Sequence, residues 1–349
     1  MLYLVSGSHS AYSRFGFSMV QAIGRAAHGD VQPAQFSRLE QFYDAYKDRK
    51  TDAFVAFIHA GDNRVAKLLQ RTQSKVVLFD DDLSQTVGRM LTDPNKEFRK
   101  VLCSATMASA TLSYLAETTN AMVYPRPDTN SLLLPFIQSL AWFFGIEPDQ
   151  ALVDTVVARL KLGAITPRTT IIEGMNAFAS DYKDAQAAID ALNDDEIALL
   201  GAVREAYGVG RGQIEGGTIS WPIQSLFDPR NRQEPAPEYI ELLGKARRLL
   251  NGPEYRLVPG NWLCEVVIRV SDNPSKNRLI WLISELDKRR GMLSCDLPTE
   301  GRLALTQEFT VESAANPITF AFDMKEGAIE GVFSVETIRL RRVKAAPLE

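Results

Sequence analysis

The feature that most constrains this chain is a change in the spacing of its apolar residues. Up to about residue 160, short continuous apolar runs alternate with longer segments of helical spacing. From Tyr255 onward, apolar side chains recur at every second position, as at Trp262, Cys264 and Val266. The first pattern is typical of a parallel sheet covered by helices, and the second of antiparallel strands buried on one face.

The first pattern predicts an α/β domain over residues 1–161. Ala53 to His59 and Lys75 to Phe79 are apolar almost throughout, which suits strands buried on both faces. Each is followed by a helical segment, and we therefore predict a parallel sheet with helices on both faces. Because ligands of such sheets bind at the carboxyl ends of the strands, the segments that follow the strands are the candidate site.

The apolar run Leu2 to Val5 leads into one such segment, Ser6 to Gly16, which has a glycine near each end. We predict that this segment is a loop and that a helix begins at Phe17. Unpaired N–H groups at a helix start bind phosphate or sulfate, and a guanidinium and a hydroxyl would add to them. The predicted anion-binding residues are Gly7, Ser8, Arg14, Gly16 and Ser18. A tight turn without a ligand is the alternative, since the G-x-x-x-x-G-K-[ST] pattern is absent.

Two further segments follow predicted strands. His59 is a candidate general base because imidazole exchanges protons near neutral pH; otherwise it is a strand-end histidine with structural hydrogen bonds. Asp80, Asp81 and Asp82 would suit a divalent cation, but capping of the next helix is the preferred interpretation. No metal is expected.

The remainder of the chain is predicted to contain a connector and a second domain. Residues 162–250 are helical and loop-rich, and residues 251–349 are predicted to form an antiparallel β-sandwich. The apolar phase shifts between Val335 and Ile338, which predicts a bulge in the last strand. Trp262 and Trp281 are interpreted as core residues, and Tyr255 as the aromatic candidate for stacking on a sugar.

Composition excludes several classes of function. The formal net charge is -4 and the pI about 5.6, so nucleic acid is not an expected partner. The three cysteines form no C-x-x-C pair, which predicts reduced thiols in a cytoplasmic protein. No run reaches the ~18–20 apolar residues of a membrane span.

Three places in the first half resemble the sulfotransferase family. Arg14-Phe15-Gly16-Phe17-Ser18 lies where the family has its phosphosulfate loop, and His59 where many members have a catalytic histidine. Val123-Tyr124, followed by Phe143-Phe144-Gly145-Ile146, resembles the family's late strand and helix. The resemblance implies a P-loop-type fold, 3′-phosphoadenosine 5′-phosphosulfate as donor, and donor binding by Arg14, Gly16 and Ser18. His59 and Arg14 would be the catalytic residues.

The sequence also departs from the family. Asp81 and Arg89 stand where the family has the arginine and serine of its 3′-phosphate site, and Phe57 replaces a lysine. The donor site is therefore degenerate, or it binds another anion or nucleotide. In the last third, Gly252 to Trp262 resembles β-sandwich modules that bind carbohydrate.

Two main functions remain open, with transfer from another nucleotide donor as a third, and whether the chain is an enzyme is undecided. The first is a sulfotransferase-like transferase that moves a sulfuryl group from a nucleotide donor to a glycan or other hydroxyl acceptor. The second is a non-catalytic glycan-binding protein in polysaccharide assembly or its regulation, built on a decayed transferase domain. His59, Arg14 and Gly16 favour the first, and the missing 3′-phosphate arginine favours the second.

Overall fold

A computed structural model of the chain describes residues 1–59, 62–179, 182–209 and 212–345. Its contacts divide the chain into two compact units, Met1–Leu192 and Asn193–Glu349. The three-part division at residues 161 and 250 stays a prediction. Within the described residues, no helix is both long and apolar enough to cross a bilayer.

The first unit is an α/β domain. Its strands are β1 (Leu2–Gly7), β2 (Val31–Phe36), β3 (Ala53–Ile58), β4 (Lys75–Asp80) and β5 (Asn120–Pro125). Its helices are α1 (Ala11–His28), α2 (Leu39–Lys47), α3 (Asn63–Arg71), α4 (Leu83–Leu91), α5 (Phe98–Thr118), α6 (Leu133–Phe143), α7 (Gln150–Leu160), α8 (Ile171–Phe178) and α9 (Tyr182–Asp190).

The five strands form one parallel sheet in the order β2-β3-β1-β4-β5. Helices α1, α6, α7 and α8 cover one face, where Val5 and Phe79 are fully buried, and α5 packs against the other face. The predicted parallel sheet with helices on both faces is therefore confirmed. Strand β2 was not predicted; it contains Pro33, and proline is tolerated there because β2 lies at the sheet edge.

The order of the strands defines where a site can form. From β1 the chain crosses to β2 on one side, whereas β4 connects to β5 on the other. The connections therefore leave β1 and β4 in opposite directions, which opens a crevice between the carboxyl ends of these two neighbouring strands. The segments after β1, β3, β4 and β5 surround this crevice.

The second unit is mainly antiparallel. It begins with α10 (Asp194–Ala206) and includes a 3-10 turn at Ile223–Ser225. Its strands are β6 (Thr218–Trp221), β7 (Phe227–Asp228), β8 (Asn231–Pro235), β9 (Ile240–Glu241), β10 (Arg247–Tyr255), β11 (Gly260–Ser271), β12 (Arg278–Glu285), β13 (Lys288–Asp296), β14 (Gly301–Val311), β15 (Ile318–Met324) and β16 (Val332–Ala345).

These strands form two sheets packed face to face. The first sandwich sheet has the order β13-β12-β15-β10-β7-β8; the second has the order β14-β11-β16-β6, and β9 also pairs with β16. The rings of Phe322 and Phe333, one from each sheet, have centroids 6.0 Å apart across the core. The predicted β-sandwich is confirmed, and so is the bulge, because the β11–β16 register shifts between Val267 and Ile268.

Candidate functional site

The turn between β1 and α1 is shorter than the sequence suggested. Helix α1 begins at Ala11, so only Ser8, His9 and Ser10 lie between the strand and the helix. Ser10 is the N-cap, and its hydroxyl accepts a hydrogen bond from the backbone N–H of Ser13 at 3.2 Å. The Ser13 hydroxyl in turn donates to the carbonyl of Phe79 at 3.3 Å, which fastens the helix start to the end of β4.

Ser8 stands out within this turn. Ser8 is 6% exposed, and its Oγ atom is buried and has no hydrogen-bond partner in the described structure. Leaving a buried hydroxyl unpaired costs about 1–3 kcal/mol, so such an atom calls for an explanation. A ligand atom or a water molecule at the start of α1 would provide the missing partner.

Basic side chains from distant segments lie around the turn. The pKa of His9 is lowered chiefly because burial removes water from the charged imidazole. The positive charges of Lys96 and Arg89 lower this pKa further. Arg126, just after β5, donates to the Asp81 carboxylate at 3.2 Å. These positive charges come from the α4 helix, the segment after it and the end of β5, so no local motif predicted them.

His59 directly follows β3, at the same carboxyl-end edge of the sheet. Its Nε2 atom lies 3.0 Å from Oε1 of Gln35, and its ring packs edge-on against Phe57, with centroids 4.7 Å apart. Burial lowers the pKa of His59 below its usual value of 6.5, and the nearby His9 lowers it further. The lowered pKa favours the neutral imidazole, which is the form that accepts a proton.

Asp81 is the most unusual group at this edge. Its side chain is 2% exposed and contacts three groups: the hydroxyl of Ser10, the N–H of Asp82 and the guanidinium of Arg126. Burial raises the pKa of Asp81, and the charge of Arg126 and these hydrogen bonds offset the shift only in part. Asp82 instead caps α4, since it accepts from the N–H of Ser84 at 2.9 Å; the capping interpretation of this aspartate is confirmed.

The structure separates Arg14, Gly16 and Ser18 from the turn. Arg14 and Gly16 lie inside α1 rather than in a loop, so the predicted helix start at Phe17 was wrong; Ser18 lies inside the helix, as predicted. At 1.5 Å per residue, Ser18 is about 12 Å along the axis from the N-cap. Arg14 is exposed, and its guanidinium is 5.8 Å from the centroid of Phe178. Gly16 is buried against Phe79, where a Cβ atom would lie 2.4 Å from the ring.

Gly7 and Tyr255, two further predicted site residues, are both closely packed against neighbouring side chains. A Cβ atom on Gly7 would lie 2.4 Å from Oγ of Ser13, so this glycine allows α1 to approach β1 closely. Tyr255, predicted to bind sugar, is 2% exposed and packs edge-on against Tyr207 and Trp221. A sugar cannot reach the faces of this ring because they lie in the sandwich core.

Among the described residues, no group of three or more His, Cys, Asp or Glu side chains is arranged to hold a metal ion. The groups that the structure does bring together are Ser8, His9, Ser10, His59, Asp81, Arg89, Lys96 and Arg126. Of these, sequence reasoning had selected only Ser8 and His59 as site residues.

We expect the Asp81→Asn variant to be more stable than the wild type near pH 7. A raised pKa means that the folded state holds the proton of Asp81 more tightly than the unfolded state, whose pKa is about 3.9. Wild-type stability therefore falls by up to about 1.4 kcal/mol per pH unit as the pH rises from the unfolded towards the folded pKa. Urea unfolding of both proteins at pH 4 and pH 7 measures the difference.

Asp128→Asn is the matched control for this prediction. A hydrogen bond from the Ser131 hydroxyl, together with backbone hydrogen bonds, lowers the pKa of the exposed Asp128. Asp128→Asn should therefore be the less stable protein at pH 7, and the gap should close only as the pH falls below about 4, from the unfolded pKa towards the lowered folded pKa. If Asp81→Asn behaved like Asp128→Asn, burial would not dominate the titration of Asp81.

Comparisons with known proteins bear on both units. No family model and no curated protein matches the chain. Mouse sulfotransferase SULT7A1, solved in complex with PAP, is similar over 58% of this chain and 82% of its own, with 13% identity and a TM-score of 0.38. The xylan-binding module CBM15 is similar over 37% of this chain and 98% of its own, with 9% identity and a TM-score of 0.26.

A further match is the CBM22-1 xylan-binding domain from Paenibacillus barcinonensis Xyn10C. It covers 38% of this chain and 85% of its own, with 12% identity and a TM-score of 0.23. The two resemblances expected from the sequence, to sulfotransferases and to carbohydrate-binding β-sandwiches, are thus both found among solved structures. All three identities are below 25% and all three TM-scores below 0.5, so the matches do not indicate what this chain binds.

Proposed function

We propose that the first unit binds an anionic nucleotide donor at the turn between β1 and α1 and transfers a sulfuryl group to a hydroxyl acceptor. The observation that carries this proposal is the buried, unpartnered Ser8 Oγ beside the start of an 18-residue helix. A helix N-terminus favours negative charge, and Ser8 would add a hydroxyl donor to its N–H groups.

The surrounding charges fit such a ligand. Lys96 and Arg89 lie close enough to His9 to lower its pKa, and Arg126 reaches the same crevice from the end of β5. These side chains would compensate the negative charge of a phosphate or sulfate, as the arginine after β4 is expected to do in the resembled family. The residues present therefore fit an anionic donor, with the cations supplied from other segments.

His59 suits the role of the base. The donor supplies an activated sulfuryl group when it is bound. His59 would accept the proton of the acceptor hydroxyl while the new sulfur–oxygen bond forms and the bond from sulfur to the phosphate oxygen breaks. The helix N-terminus and the basic groups would stabilise the negative charge left on the phosphate.

One observation favours the second candidate, a non-catalytic glycan-binding protein. The Asp81 carboxyl group hydrogen-bonds to the N-cap Ser10 and to Arg126, two groups that would otherwise suit an external anion. If the chain's own carboxylate occupies this position, the first unit needs no donor and acts as a scaffold. Removal of this negative charge should then create anion binding that the wild type lacks.

The deciding experiment is calorimetric titration of the full chain with 3′,5′-adenosine bisphosphate, the product half of the expected donor. Under the transferase proposal we expect binding by the wild type, and binding at least about tenfold weaker in Lys96→Ala, a loss of about 1.4 kcal/mol. Lys47→Ala, which removes an exposed lysine from α2, is the matched control and should bind as the wild type does.

Three further variants separate the remaining possibilities. A loss of affinity in Arg14→Ala would show that this side chain also reaches the ligand, as the family resemblance implies. Heat from Asp81→Asn and none from the wild type would favour the non-catalytic candidate. Where the wild type binds, transfer of labelled sulfate to glycans follows, and His59→Ala should abolish transfer without abolishing binding of the bisphosphate.

A further inference from the structure

An exposed tyrosine lies at one edge of the second sandwich sheet. Strand β9 pairs with β16 through Ile240 and Phe333. Tyr239 lies in the bend just before β9, close enough to Arg269 of β11 for that charge to lower the pKa of its hydroxyl. The side chain of Tyr239 is 61% exposed, whereas Trp221, Trp262 and Trp281 of the same unit are buried. Tyr239 therefore presents an aromatic face to solvent, which Tyr255 does not.

Tyr239 is one end of a row that crosses the sheet. Ser334 pairs with Arg269 of β11, and Arg269 pairs with Arg302 of β14. Paired side chains lie on the same face of a sheet, and the flanking Phe333 and Val270 point into the core, so Ser334, Arg269 and Arg302 lie on the outer face. Tyr239 lies beside them, since the charge of Arg269 acts on its hydroxyl. We call these four residues, Tyr239, Ser334, Arg269 and Arg302, the Tyr239 row.

Ser334, which lies between Tyr239 and Arg269, is only 7% exposed, so neighbouring side chains cover it. The hydroxyl of Tyr239 hydrogen-bonds to Glu238, which raises the pKa of the tyrosine and holds one end of the ring. The face of the Tyr239 ring remains available to a ligand because most of the surface of this residue is exposed to solvent.

Charges of both signs lie near the ring, since Arg269 lowers the pKa of Tyr239 and Glu336 raises it. Arg302 is paired with Glu336, with Nε 2.7 Å from Oε2. Arg269, by contrast, forms no ion pair with any residue that the structure describes. Arg339 and Arg341 are exposed on the same outer face, opposite Glu265 and Leu263, and also lack an ion pair within the described parts of the chain. The three guanidinium groups are thus not neutralised by salt bridges there.

We propose that this outer face binds an acidic polysaccharide, with the ring of Tyr239 against the apolar face of a sugar and Arg269 on its carboxylate or sulfate group. An aromatic face suits the C–H surface of a pyranose, and a guanidinium binds either acid in bidentate fashion. Arg339 and Arg341, about 7 Å apart along β16, would contact further acidic groups of an extended chain.

This proposal extends the proposed function by naming the chemical class of the glycan. Only the role of that glycan as the acceptor rests on the transferase activity. Glycan binding by the second unit needs no donor. The two proposals can therefore fail separately: titration with adenosine bisphosphate reports on the first unit, and titration with glycan reports on the Tyr239 row.

The test is calorimetric titration of the full chain at low salt with three probes: hexagalacturonate, sulfated cellohexaose and uncharged cellohexaose. The first two distinguish a carboxylate from a sulfate ligand. We expect one or both acidic probes to bind, with affinity falling as salt rises, and the uncharged probe to bind at least about tenfold more weakly. Tyr239→Ala and Arg269→Ala should each weaken acidic-probe binding by about tenfold or more.

Matched variants make the outcome specific. Tyr239→Phe keeps the ring and should stay within about threefold of the wild type, since stacking does not need the hydroxyl. Tyr43→Ala removes an exposed tyrosine from α2, and Arg248→Ala removes an arginine paired with Asp323 on the first sandwich sheet; both should bind normally. Equal binding of uncharged cellohexaose, unchanged binding by Tyr239→Ala, or no binding of either acidic probe would overturn the proposal.

Discussion

Glu285→Ala is expected to destabilise the second unit by about 3–5 kcal/mol. The Glu285 side chain is fully buried at the end of β12 and pairs with Arg290, which is itself 10% exposed. Its carboxylate also accepts hydrogen bonds from the N–H groups of Glu312 and Ser313 and from the Asn316 amide. Alanine would leave a nearly buried guanidinium and three donors without this acceptor.

Urea unfolding followed by tryptophan fluorescence measures this loss, because three of the four tryptophans are buried in the second unit. Glu308→Ala is the control: Glu308 is exposed on β14, and its removal should change stability by less than about 0.5 kcal/mol. Glu285→Gln keeps an acceptor and should lie between the two. A loss below about 1 kcal/mol in Glu285→Ala would mean that the cluster reorganises around water.

Gly16→Ala is expected to destabilise the first unit by about 1–3 kcal/mol. An alanine Cβ would lie 2.4 to 2.5 Å from three ring atoms of Phe79, which is fully buried in β4 and cannot move aside. The higher helix propensity of alanine, worth about 1 kcal/mol, offsets only part of this overlap. Unfolding followed by far-ultraviolet circular dichroism, which is dominated by the helices of the first unit, would detect the change.

Gly24→Ala, in the same helix, is the control. Its Cβ would meet no atom closer than 3.3 Å, so its effect should stay within about 1 kcal/mol. The comparison also tests the role that the family resemblance implies for Gly16. If Gly16→Ala kept full stability and lost only affinity for adenosine bisphosphate, Gly16 would be a donor-binding residue rather than a packing residue.

The start of α1 was predicted at Phe17 but lies at Ala11, which shows which sequence signal marks the beginning of this helix. The spacing of the glycines predicts a loop that extends to Gly16. In the structure, Ser10 caps the helix through the N–H of Ser13, and Tyr12 and Phe15 are buried inside its first turns. A serine immediately before an amphipathic segment is a recognised start signal, so the correct boundary was present in the sequence.

The basic groups of the site could not have been predicted in the same way. Arg89, Lys96 and Arg126 are separated in sequence and approach the crevice only because β4 and β5 are adjacent in the sheet. Their positions depend on the strand order and on the lengths of two helices. By contrast, β3 and β4 were predicted almost to the residue, since a continuous apolar run needs no tertiary context.

The two tyrosines of the second unit were misjudged for a related reason. Tyr255 ends β10, and its surroundings are set by Tyr207 and Trp221, which precede the predicted sandwich. Tyr239 lies in a segment rich in proline and charge, where the sequence analysis expected only connection. Because burial on a strand depends on which strands lie beside it, a local alternation pattern could not decide between these two residues.

Strands β6, β7, β8 and β9 come from the predicted connector, yet they complete both sheets of the sandwich. A recombinant fragment that started at residue 251 would lack all four. β10 and β16 would then expose unpaired backbone N–H and C=O groups, and such open edges recruit strands from other molecules. We therefore expect glycan-binding work on the isolated sandwich to yield aggregates unless the fragment begins near Asn193, where the second unit starts.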